Sequence, residues 1–262
     1  MKLAISGKGG VGKTTLAALL AQAYADAGRQ VLAVDADPSP CLAAALGFPS
    51  ELRAGLRPIA EMEDLIYERT GAKPGTIGGF FTINPRVDDI PERFSAVHRG
   101  VRLLEMGAVQ TGGSGCICPE SALLKTLFTH LFFRQDDVLI LDMYAGVEHL
   151  GRATVDFVDA MLVVVEPTNR SLGTAAQIAT LAKDIGLTRL WLVGNKVHNP
   201  EEVAFLKAGS PGLPVLGMLP SDLAVKDADR LGVAAYDHVP SLRQAVEEIR
   251  LSLGLSMEAQ PL

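Results

Sequence analysis

Short apolar runs without period-two alternation recur along the chain, at Leu3–Ser6, Val31–Asp35, Phe80–Asn84, Val101–Met106, Val138–Asp142, Met161–Glu166, Leu190–Asn195 and Val215–Leu219. Such runs predict parallel strands covered on both faces, because a strand with one solvated face would alternate apolar and polar positions. Helical patterns lie between them, at about 14–27, 119–133, 149–158, 172–186, 200–208 and 240–253. The alternation predicts an α/β fold with a doubly wound, mostly parallel sheet of seven to eight strands flanked by helices. The Gly/Pro-rich pieces Gly71–Gly79, Pro85–Gly100, Gly112–Gly115 and Gly209–Pro214 read as loops that do not interrupt it, so one domain is expected over 1–262, with 251–262 a loosely ordered tail. In open sheets of this kind ligands bind beyond the carboxyl ends of the strands, and the residues after each run are where chemistry is expected.

The chain has 262 residues, 48% hydrophobic and 21% charged, which excludes a disordered or collagen-like polymer. Its 24 basic and 30 acidic residues give a formal charge of −6. That is the wrong sign for a surface that grips nucleic acid or anionic lipid, so neither partner is expected and any phosphate site must be local. Glycines end the N-terminal apolar run before a signal-peptide core could form, and nothing approaches a spanning segment. Three cysteines are too few for a disulfide scaffold. A reducing, cytoplasmic setting is the expectation.

Gly7-Lys8-Gly9-Gly10-Val11-Gly12-Lys13-Thr14 fits the phosphate-loop pattern G-x-x-x-x-G-K-[ST], directly after an expected strand and opening a helical pattern. Glycines let successive N–H groups face an anion, and the helix N-terminus adds partial positive charge. Gly9, Gly10, Val11, Gly12, Lys13, Thr14 and Thr15 are therefore the expected phosphate-binding residues. Lys13 would reach the β- and γ-phosphates and the Thr14 hydroxyl would ligate Mg²⁺. Asp35-Ala36-Asp37-Pro38 follows the second run and Asp142 ends the Val138–Asp142 run. Carboxylates at strand ends can hold a hydrated Mg²⁺ or orient a water, although Asp beside Pro or Gly is also a common turn residue. Asn195 and the Pro220-Ser221-Asp222 segment close two further runs, where an amide can pair with both edges of adenine or simply shape a turn.

With Lys8 inside the loop, the segment Lys8-Gly9-Gly10-Val11-Gly12-Lys13-Thr14-Thr15 resembles the deviant Walker A loop of the family that includes septum-site and chromosome-partitioning ATPases, nitrogenase iron protein and nickel-insertion ATPases. The resemblance implies a P-loop NTPase fold, ATP/ADP with Mg²⁺, and hydrolysis. By the same likeness, Lys8 is the lysine that crosses a homodimer interface to the partner's nucleotide, a role like that of an arginine finger. It also implies that Asp37 is the catalytic carboxylate, that Asp35 supports that loop and the metal shell, that Asp142 is the Walker B aspartate, and that Asn195, Pro220 and Asp222 surround adenine.

Cys116-Ile117-Cys118 lies between Gly112-Gly113-Ser114-Gly115 and Pro119, a favoured first residue of a helix. Thiols at a helix N-terminus have lowered pKa and suit metal binding. Two thiolates do not complete a closed tetrahedral site, but a two-fold axis through the loop would assemble four. The plainer alternative is a pair of small buried residues. Cys41, opening the apolar stretch after Pro38-Ser39-Pro40, is expected in the core, and Glu148 and His149 are candidates for relaying the nucleotide state.

Together, the deviant loop, Asp35-Ala36-Asp37-Pro38 with Cys41-Leu42, the Cys116/Cys118 pair and Ala145-Gly146-Val147-Glu148-His149-Leu150 resemble the CooC-type branch, ATPases that help insert nickel into carbon monoxide dehydrogenase. That implies Ni²⁺ or Zn²⁺ at a dimer-bridging Cys₄ site and a client nickel enzyme, carbon monoxide dehydrogenase or acetyl-CoA synthase. The nickel assignment rests on the resemblance, since such a site suits zinc or an Fe–S cluster as well. The alternatives are an ATP-dependent positioning or scaffold protein and an Fe–S electron-transfer ATPase.

Overall fold

A computed structural model describes residues 1–75, 80–107, 118–133, 138–144 and 158–259. Eight strands form one sheet: β1 (Lys2–Gly7), β2 (Val31–Ala36), β3 (Ala96–His98), β4 (Val101–Glu105), β5 (Val138–Met143), β6 (Ala160–Val165), β7 (Leu190–Val197) and β8 (Val215–Pro220). Their order is β3-β4-β2-β5-β1-β6-β7-β8. Every pairing is parallel except β3 with β4.

Successive residues enter opposite cores, as the pleat requires. Leu3 and Ile5 of β1, with Val31 and Ala33 of β2, pack with the helices Lys13–Asp26 and Pro240–Ala259. Ala4, Leu32 and Val34 pack on the other face with the helices Pro119–Phe133 and Asn169–Asp184. Two apolar layers on one sheet explain why the strand runs lack alternation. The helix Lys13–Asp26 is buried continuously from Leu16 to Tyr24, so it reads as apolar all round rather than amphipathic.

Three expectations are corrected. The Phe80–Asn84 run is not a strand: Phe80, Thr82, Ile83 and Asn84 are exposed and Phe81 is only half-buried, so no burial drives pairing. The further strand is Ala96–His98, inside the segment read as a loop, and it forms a hairpin with β4 through Arg99 and Gly100. Both turn residues have positive φ, 49° and 80°, the two-residue turn whose twist matches its strands. The last helix continues to Ala259 because Leu242, Val246, Ile249 and Leu253 bury one stripe that the partly buried Met257 extends. The helix read at 149–158 lies outside the described residues except for Val158, which is not helical.

Leu253→Ala tests that packing. Leu253 is fully buried, so truncation should lower the unfolding free energy by about 2–4 kcal/mol in urea denaturation. A loose tail would lose less than about 0.5 kcal/mol.

Candidate nucleotide site

The phosphate loop leaves β1 at its carboxyl end, with β5 and β6 on either side. Gly12 is left-handed, φ 96°, and a side chain there would collide with the Asn195 amide, so two separate constraints demand glycine. The helix that follows has neither a side-chain cap nor an acidic residue in its first turn. Its first N–H groups and its positive dipole end are thereby available to an anion. Inside the loop, Lys13 is nearly buried; its Nζ donates to Lys8 O at 3.4 Å, and Val11 N–H donates to the same oxygen at 3.3 Å. The Lys8 side chain itself is exposed.

The acidic residues separate by environment. In the β2–β5 register Asp35 lies opposite Asp142, which puts two carboxylates side by side. Asp35 is fully buried and is satisfied by backbone: Oδ1 accepts from Asp37 N–H at 3.0 Å, and Oδ2 from Cys41 and Leu42 N–H at 2.9 Å each. Desolvation pushes its pKa up while those three bonds pull it down. It therefore fastens the loop that carries Asp37, whose Oδ1 in turn accepts from Ser39 N–H at 2.9 Å.

Asp142 is as deeply buried, yet neither of its oxygens makes a hydrogen bond of ordinary geometry. Desolvation, with the Asp35 and Asp37 charges behind it, pushes its pKa up to about 7, although the nearby Thr14 hydroxyl and Lys13 pull it down. An orphaned buried carboxylate beside a threonine hydroxyl is the donor set a hard divalent cation requires, so these residues fit Mg²⁺.

On the other flank, Asn195, near the end of β7, is nearly buried, its Nδ2 donating to Val11 O at 2.7 Å and its Oδ1 accepting from Lys196 N–H at 2.9 Å. Its amide nitrogen thus holds the phosphate loop. Ser221 N–H donates to Val197 O at 2.8 Å, which brings the Pro220-Ser221-Asp222 segment beside Asn195. Asp222 shapes that segment, accepting from Ala224 N–H at 2.9 Å and Ser241 Oγ at 2.8 Å. The Ala224 N–H, then the Ser241 hydroxyl, hold its pKa below the usual range.

The cysteines divide differently from the sequence expectation. Cys41 is exposed rather than in the core; it precedes the short helix Leu42–Ala45, and its Sγ lies 3.9 Å from Thr14 Oγ1. Helix starts are held by backbone N–H bonds, here to Asp35, which leave the thiol outside the apolar stripe. Its position between Pro40 and a helix start was the available signal. Cys118 is buried, with Sγ 2.9 Å from Ser121 Oγ. Cys116, Glu148 and His149 lie outside the described residues. Among the described residues no group of three or more His, Cys, Asp or Glu side chains is placed to hold a metal. No helix among them is long and apolar enough to cross a membrane. Sequence reasoning gave no role to Lys196, whose ammonium donates both to the loop carbonyl of Gly10 and to Glu166, or to Glu166 itself.

A parallel sheet with a phosphate loop at its central strand end, acidic residues on the neighbouring strands and an amide beyond defines a P-loop ATPase, and the comparisons agree. The chain belongs to the CobQ/CobB/MinD/ParA nucleotide binding domain family, which matches residues 2–233. It is 45% identical over 253 residues to the carbon monoxide dehydrogenase accessory protein CooC of Rhodospirillum rubrum, covering 97% of this chain and 96% of that one. An uncharacterized ATP-binding protein of Methanocaldococcus jannaschii is 47% identical over 88% of this chain and 90% of its own. Among solved structures, the MinD cell division protein of Aquifex aeolicus aligns at TM-score 0.67 with 21% identity over 100% of this chain and 98% of that one. A putative plasmid partition protein of Borrelia burgdorferi bound to AMPPNP aligns at 0.71 with 14% identity, over 97% and 98%.

The buried charge of Asp142 has a measurable signature. Its folded pKa, about 7, exceeds the unfolded value, so the unliganded protein is most stable below about pH 4 with respect to this group and loses that contribution as pH rises through 7. Asp142→Asn should remove the dependence and make the unliganded protein more stable than wild type at pH 8 by a few kcal/mol. Thermal unfolding at pH 5 and pH 8 checks this; a variant less stable at both pH values would contradict the assignment.

Proposed function

We propose that the chain is an ATP-hydrolysing accessory protein in carbon monoxide dehydrogenase maturation, working as a homodimer that delivers nickel. The observation that carries this reading is the 45% identity to CooC across 97% of this chain and 96% of the relative, an extent that leaves little of either protein unmatched.

In this reading, Lys13 and the N–H groups of Gly9, Gly10, Val11, Gly12, Thr14 and Thr15 bind the phosphates, and Asn195, Pro220 and Asp222 border adenine. Thr14 and Asp142 would hold Mg²⁺, with Asp35 and Asp37 behind them, and the ion would neutralise phosphate charge. Asp37, on the loop that Asp35 fastens, orients a water toward the γ-phosphorus. A P–O bond forms to that water while the bond to the ADP oxygen breaks, giving ADP and phosphate. Lys8, exposed on the loop, supplies a cation to the partner's nucleotide, which makes hydrolysis depend on dimerisation.

Nickel is the cargo. Cys116 and Cys118 from two copies would hold Ni²⁺ or Zn²⁺ as a four-thiolate site. If metal and nucleotide both favour the dimer, each must tighten the other's binding.

Two experiments test this reading. Wild type should retain about one Ni²⁺ or Zn²⁺ per two chains by mass-spectrometric metal analysis, and the Cys116→Ala/Cys118→Ala protein should retain none; unchanged stoichiometry would put the metal elsewhere. Lys8→Ala should cost at least about 100-fold in kcat and weaken the ATP-dependent dimer seen by light scattering. A variant that hydrolyses and dimerises as wild type does would end the trans-lysine mechanism, and binding to DNA or liposomes instead of metal would favour a positioning protein.

A further inference from the structure

Lys196 has a conformation that calls for an explanation. It is one of two non-glycine residues with positive φ among the described residues, at 57°, an arrangement that strains a side-chain-bearing residue. The register of β7 on β8 breaks between Gly194 and Val197. Regular strand would send Asn195 and Lys196 to opposite faces of the sheet; the break re-aims one of them. Both side chains then reach the same loop. Asn195 Nδ2 donates to Val11 O at 2.7 Å and Lys196 Nζ donates to Gly10 O at 2.8 Å.

The peptide plane makes this grip consequential. In a trans peptide the carbonyl and the N–H of the next residue point in opposite directions. Holding the Gly10 and Val11 carbonyls outward therefore turns the Val11 and Gly12 N–H groups inward, where an anion would accept from them. The Val11 N–H already points to an acceptor inside the loop, Lys8 O. Lys196 is itself held, because its ammonium also donates to the Glu166 carboxylate. Glu166 follows β6, and its N–H donates to Ser171 Oγ at 3.0 Å. Ser171 is buried in the first turn of the helix Asn169–Asp184.

We propose that Lys196, steadied by Glu166, is a positioning residue that presets the phosphate-binding N–H groups by fixing the Gly10 carbonyl. It acts through the backbone of the loop, so its loss falls on the diphosphate part of the nucleotide and spares the base. The proposal rests on the phosphate-loop reading above.

The test titrates the full chain with MgADP, inorganic pyrophosphate and adenosine by calorimetry and competition. Lys196→Met should weaken MgADP and pyrophosphate about tenfold, leave adenosine within about twofold, and leave the unliganded melting temperature within about 2 °C, since the side chain is half exposed. Glu166→Gln, which frees but keeps the amine, should give a smaller loss. Lys196→Met/Glu166→Gln should stay as weak as Lys196→Met. Recovery in the double variant would assign the effect to an uncompensated Glu166 charge and overturn the proposal. So would pyrophosphate binding within twofold of wild type, or an equal loss for adenosine. A wild-type protein that binds neither diphosphate would remove the phosphate-loop reading itself, whereas wild-type binding with an unaffected Lys196→Met removes only the positioning role.

Discussion

Two carboxylates buried side by side at the ends of β2 and β5 are the constraint around which the site is arranged. Parallel register leaves them no choice, since Asp35 and Asp142 are direct partners across the strands. Each loses hydration on burial, which raises both pKa values, and the Asp35 charge raises that of Asp142 further. The protein resolves the conflict asymmetrically. Asp35 receives three backbone N–H groups and becomes a fastener for the loop carrying Asp37. Asp142 receives no such bond, so the unliganded site carries an electrostatic cost that a divalent cation would relieve. A net charge of −6 is compatible with phosphate chemistry because the positive groups are local: Lys13 opens the helix after the phosphate loop and is near enough to Asp142 to lower its pKa.

What the sequence made legible was whatever depends on neighbours in the chain. The phosphate loop, its strand and its helix occupy consecutive residues, so Lys13 and Thr14 could be placed without knowing the sheet. The strand runs that end in Asp35 and Asp142 were readable because both faces of the sheet are covered. Phe80–Asn84 has the composition of a strand and the exposure of a loop, and composition cannot separate the two. Ala96–His98 forms because Arg99 and Gly100 turn the chain back onto β4, a pairing of three residues that carries no run of its own. The helix past Leu253 was missed because Gly254 weakens the local signal while Met257 continues the buried stripe.

At the site, the illegible part is the long-range part. Asn195 and Lys196 are more than 180 residues from the carbonyls they hold, and they reach them only through a backbone conformation that sequence preferences would place at glycine or asparagine. Cys41 shows the reverse error. An apolar stretch suggested the core, but the residue that opens a short helix lies outside the stripe that the helix buries.

The oxygen inside the phosphate loop adds a kinetic and energetic consequence. Lys13 and Val11 N–H both donate to the carbonyl of Lys8, so an arriving phosphate does not fill a vacant anion hole; it displaces a resident acceptor. At 3.4 and 3.3 Å those bonds are longer than the usual amide range, whereas bonds to an ionised oxygen are shorter and about twice as strong. The exchange therefore runs in favour of the nucleotide, and a measured affinity for diphosphate is a difference between two acceptors. It also releases the backbone of Lys8, so the loop residue whose side chain is exposed is untied by the ligand that the loop binds.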